Sequence, residues 1–200
     1  MQTSLTNIFL SRKHARALAL LTAACFLVGC TVGGTVRVRS TEANVTLAPQ
    51  ITLVASRPLG PGQVDLFLTD LTLDQLDLAT PFEELSGNII HVQMFIRPRA
   101  GKTPIDSTAT NATIRHVVLS SGAIGIYSGG GFMLPRSSKK ADVFRAKMRN
   151  ASLVLTDQTA NFHDPLGPST MSLSVRAPTD EALAALIAAR LDQTLERIAP

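Results

Sequence analysis

From Thr35 onward, apolar and polar residues alternate with a period close to two, the pattern of half-buried strands. Residues 35–40 alternate cleanly, and short runs at 45–47 and 51–54 continue on either side of Pro49. Pro58, Gly60 and Pro61 make 57–62 a turn cluster. The run 64–73 follows, with Val64, Leu66 and Leu68 on one face and Asp65, Phe67 and Thr69 on the other. Residues 88–96 give the strongest strand signal, setting Ile90, Val92, Met94 and Ile96 against Ile89, His91, Gln93 and Phe95. The polar stretch 97–104, with two prolines, leads to a second strong strand at 111–120. Weaker strands are predicted at 124–127, 132–134, 143–156 and 171–175, with a loop over 161–169. Three consecutive glycines, Gly129 to Gly131, read as a bulge or tight turn between short strands.

The chain ends with a different period. Leu183, Leu186, Ile187, Leu191, Leu195 and Ile198 recur every three or four residues opposite Asp192, Gln193, Glu196 and Arg197, which predicts one amphipathic helix over 179–198. Thr179, Asp180 and Glu181 supply a cap candidate and first-turn acids. Its polar face is poorer in Lys and Arg than a membrane-seeking helix requires, so it is expected to pack across the sheet. Many strands followed by one helix, with no internal repeat, predict a mainly β fold: an antiparallel β-sandwich or a partly closed barrel with one C-terminal amphipathic helix.

The first thirty residues are of another kind. Arg12, Lys13 and Arg16 precede twelve uncharged residues, 17–28, the proportions of a secretory signal peptide and too short for a bilayer core that needs about 20. The run ends in Leu27-Val28-Gly29-Cys30, which resembles the lipobox of bacterial lipoproteins. The resemblance covers residues 1–30 alone and implies cleavage between Gly29 and Cys30, a diacylglycerol thioether on Cys30, and a mature chain anchored to a membrane through that residue. It therefore divides the chain into a signal peptide at 1–29, a lipidated tether at 30–34 and a single β-rich domain at 35–200. Thr31 is not the aspartate associated with inner-membrane retention in lipoproteins of enteric type, so in a cell with two membranes the resemblance favours the outer one.

Processing changes the charge. Losing Arg12, Lys13 and Arg16 leaves sixteen basic residues against fifteen acidic ones, a net charge of +1 instead of +4. The remaining basic run, Arg136 to Arg149, reads as a solvated face; with one tyrosine and no tryptophan there is little to stack on bases, and no nucleic-acid partner is expected. Cys25 leaves with the signal peptide and Cys30 is blocked, so the mature domain must be held by its core alone.

Catalytic motifs are missing. No G-x-S-x-G, H-E-x-x-H, Walker A or C-x-x-C occurs, and no enzymatic activity or cofactor is implied. His91 and His116 fall in the two strongest strands, and a suitable antiparallel register would set both imidazoles on one face, with His163 and Asp164 in a loop as further ligands of a zinc or copper site. Against this, His116 shares a face with Ile114 and Val118, as a satisfied core histidine would. The sequence thus predicts a lipid-anchored envelope protein with a binding or structural role and an envelope protein as its possible partner. A carrier of lipid or another apolar ligand between sheets, and a metal-dependent protein using the three histidines, are the alternatives.

Overall fold

The computed structural model describes residues 33–98, 109–136 and 142–199. Ten strands form one antiparallel sheet: β1 (Gly33–Ser40), β2 (Thr46–Leu47), β3 (Leu53–Gly60), β4 (Gln63–Thr69), β5 (Ser86–Met94), β6 (Ala112–Ser120), β7 (Ala123–Gly131), β8 (Met133–Arg136), β9 (Val143–Gln158) and β10 (Ser169–Pro178). The order across the sheet is β2-β1-β10-β9-β7-β6-β5-β4-β3, with β8 paired to β9 beside β7. A short helix α1 (Leu73–Leu76) and a 3-10 turn (Phe82–Glu84) lie between β4 and β5, and helix α2 (Glu181–Ile198) ends the chain.

The sheet curls into a half-barrel. Its inner face buries Val36, Leu66, Ile90, Ile114, Met148 and Leu173 in one core, and the opposite face buries Phe67, Ile89, Val117 and Ile126 against Ala184, Ile187 and Leu191 of α2. This explains why Asp65, Phe67 and Thr69, set on the polar side by alternation, are all buried. The seam is drawn together at Ser56 of β3, whose Oγ donates to Pro178 O at 2.9 Å and whose carbonyl accepts from Asp180 N at 3.2 Å. Ser56 and Thr179 form an isolated parallel bridge there.

Local chemistry explains where element boundaries differ from those the pattern predicts. β3 runs through Pro58 instead of turning at 57, because it is the last strand on its side of the sheet and a missing N–H costs no ladder bond there. The turn is tighter, at Pro61-Gly62, with Gly62 at φ +82° as a type II turn requires. The run 64–73 stops at Thr69, since Thr72 and Gln75 form a capping box that starts α1. Gly129 to Gly131 are extended within β7 and do not make a turn. β9 lies so close that a Cβ on Gly129 would sit 1.8 Å from Ser152 O.

Candidate functional site

Antiparallel pairing of β5 with β6 occurs as alternation and the intervening loop predict, but its register separates the histidines. Ile90 faces His116, and His91 faces Arg115. Because neighbouring residues point to opposite faces, a register odd in this sense sets His116 inside the half-barrel and His91 outside. His163 is exposed in the loop between β9 and β10. The convergence on which a His91, His116, His163 metal site depended is absent, and no group of three His, Cys, Asp or Glu side chains suited to a metal occurs among the described residues. Cys30 and Gly29 lie outside the described residues.

His91 and His116 have local partners instead. His91 Nε2 lies 3.1 Å from Asp65 Oδ1, its ring stacks on Phe67 at 4.6 Å, and Arg57 Nη2 donates to Asp65 Oδ2 at 2.8 Å. The Arg57 guanidinium thus pairs with a carboxylate that is only 4% exposed. Inside, Asp70 Oδ2 accepts from Asn88 Nδ2 at 2.7 Å, which turns Asn88 Oδ1 toward His116 Nε2 at 2.9 Å. The amide's orientation therefore makes Nε2 the protonated nitrogen and leaves Nδ1, buried and without a partner among the described residues, as the bare one. Complete burial pushes the His116 pKa down to about 4.

Asp164 closes one end of the half-barrel. Its Oδ1 accepts from the Tyr127 hydroxyl and from the amides of Leu166 at 2.9 Å and Gly167 at 3.0 Å. Burial raises the Asp164 pKa, but these donors outweigh it and hold the carboxyl below its ordinary value. Burial, then the hydrogen bond to Asp164, pushes the Tyr127 phenol above its usual range. Phe162 and Leu166 of the same loop join the inner core, so this end is plugged by apolar side chains. The carboxylate is occupied in tying down the plug.

The opposite end is open. Beyond Ser56 the β3–β4 hairpin diverges from β8 and β9, leaving a cleft of about 440 Å³. Pro58, Val64 and Met94 form part of one wall, Val143 and Phe144 part of the other, and Arg97, Arg136 and Arg145 add three guanidinium groups. Single-sequence reasoning missed this site because its walls come from strands some eighty residues apart in sequence. The only legible signal was the basic run beginning at Arg136. Among the described residues the lining contains no His, Cys, Asp or Glu, and the Ser56 hydroxyl is engaged with Pro178 O. Such a mouth can grip an anionic group against an apolar wall.

Comparison with protein-family models, with curated proteins and with solved structures finds no match to this chain.

Proposed function

We propose that the chain is a lipid-anchored protein of a bacterial envelope with a binding role, held to the membrane through Cys30, and that its ligand site is the cleft at the open end of the half-barrel. The anchor reading rests on the basic cluster, the twelve-residue apolar run and Leu27-Val28-Gly29-Cys30. The binding reading rests on one observation, three arginines placed beside apolar inner-face side chains in a cleft of about 440 Å³. Its ligand is a small amphiphile with an anionic head, for which guanidinium groups supply charge-assisted hydrogen bonds. The filled inner core below the cleft favours a ligand held at the mouth over one threaded between sheets. With no ionisable base among the described lining residues, the site suits binding better than catalysis.

Two measurements test the two parts. Metabolic labelling with palmitate is expected to mark the wild-type chain and not Cys30→Ser; label on the serine variant would remove the anchor. Native mass spectrometry of the full chain extracted in mild detergent is expected to show a bound anionic amphiphile that is lost in Arg97→Glu/Arg136→Glu. Both side chains are exposed, so the reversal should leave the fold intact. An adduct unchanged in that variant would place the ligand elsewhere.

A further inference from the structure

The register of the sheet gathers cations that are scattered in sequence. On the face turned away from the inner core, Arg136, Arg145 and Arg176 sit directly opposite one another on β8, β9 and β10, and the row ends at Gly33 of β1. The next row holds Lys147 between Leu134 and Ser174, and beyond it Arg37 faces Ser172 with Arg149 close by on β9. No carboxylate falls on these rows, and none of these cations forms an ion pair among the described residues. Like charges opposed across strands 4.7–4.9 Å apart repel one another. Arg145 and Arg176 each also keep a buried Nε–H with no acceptor among the described residues. Anions outside the chain would relieve this like-charge repulsion.

We infer that this face of β1, β8, β9 and β10 lies against the anionic headgroups of the membrane that carries the anchor. Gly33, at the end of the arginine row, is three residues from Cys30, so a lipid on Cys30 is tethered within about 10 Å of that row. A domain held at that distance meets the bilayer surface through whichever face surrounds the start of β1, and that face is the basic one. This orientation rests on the anchor reading for the position of the membrane. Electrostatic attraction then orients the domain, while acyl chains supply most of the binding. Helix α2 packs instead on β3 and β4, and its apolar stripe is turned into the protein.

The test uses the full chain carrying Cys30→Ser, which cannot be acylated, so that charge is read separately from the anchor. Flotation with phosphatidylcholine vesicles is compared with flotation with vesicles containing about 30% phosphatidylglycerol, at low salt and at about 0.5 M NaCl. Preference for the anionic vesicles, abolished by salt, is expected. A residual association common to both vesicles reports the apolar N-terminal run alone. Lys147→Gln/Arg176→Gln is expected to weaken the anionic preference about ten-fold or more, each surface cation being worth about five-fold. Arg115→Gln/Arg197→Gln removes the same charge from other surfaces and is expected to leave the preference unchanged. Lys147→Arg/Arg176→Lys, which keeps both charges, should retain it and controls for folding. Equal flotation with both vesicles, or equal loss in both charge-removed pairs, overturns the inference, whereas failed palmitate labelling of the wild type overturns the anchor instead.

Discussion

Asn88 Oδ1 and His116 Nε2 are 2.9 Å apart on the inner side of the β5–β6 pair, and this contact fixes which nitrogen of a fully buried imidazole carries the proton. Asp70 holds the other end of the Asn88 amide. The result is a polar thread through an otherwise apolar wall, in which the histidine is kept neutral.

That neutrality predicts a pH dependence. The unfolded imidazole titrates near 6.5 and the folded one at about 4, so the unfolded chain takes up the proton first. The stabilisation is fully present above pH 6.5 and is lost as the pH falls toward 4, by about 3 kcal/mol in all. Denaturant unfolding at several pH values, for wild type and His116→Gln, should show the extra slope only in the wild type. Parallel pH profiles would contradict a neutral buried His116.

Tyr127 and Asp164 tie the plug loop to the barrel interior, and they should be energetically coupled. Asp164→Ala leaves a buried phenol without its acceptor and is expected to cost about 1–3 kcal/mol. Tyr127→Phe removes the donor as well as the need for it and should cost about 1 kcal/mol. In the double variant the two losses should not add, which a double-mutant cycle read by thermal unfolding would detect.

Gly129→Ala is expected to destabilise the domain by more than about 3 kcal/mol or to prevent folding, because the new methyl group would meet the Ser152 carbonyl and neither backbone can withdraw without breaking the β7–β9 ladder. Gly33→Ala, with open space around its Cβ position, is the comparison and should unfold like wild type. Equal midpoints for the two variants would mean that β7 and β9 are not so closely paired.

Arg190 pins α2 to the 72–84 segment. Its Nη2 donates to Thr80 O at 2.7 Å, its Nη1 to Gln193 Oε1, and its guanidinium lies 5.0 Å from the Phe82 ring centre. Arg190→Ala leaves the Thr80 carbonyl unpaired and opens space beside Phe82, with an expected loss of about 2–4 kcal/mol. Hydrogen exchange should then quicken first in α2 and the 72–84 segment.

Local chemistry was legible without a structure. Alternation marked the strands at 35–40, 88–96 and 111–120 to within a few residues, because one face of each is buried and side chains alternate. The three- and four-residue spacing after Leu183 marked α2, and a partly closed barrel with one terminal helix was among the forms such a pattern allows. Register was not legible: shifting β5 against β6 by one residue would set His91 and His116 on one face without altering either sequence pattern. Pairing of β9 with β10 carried Arg176 beside Arg145, and the curl of the sheet brought Val64 and Phe144 into one cleft, residues whose proximity no local rule encodes. Periodicity is a property of each segment alone, so the sequence determined where most strands lie and one apolar face of each. Curl and register depend on how all ten strands pack together, and only that packing decided which polar side chains meet, where the barrel stays open, and where the cations collect.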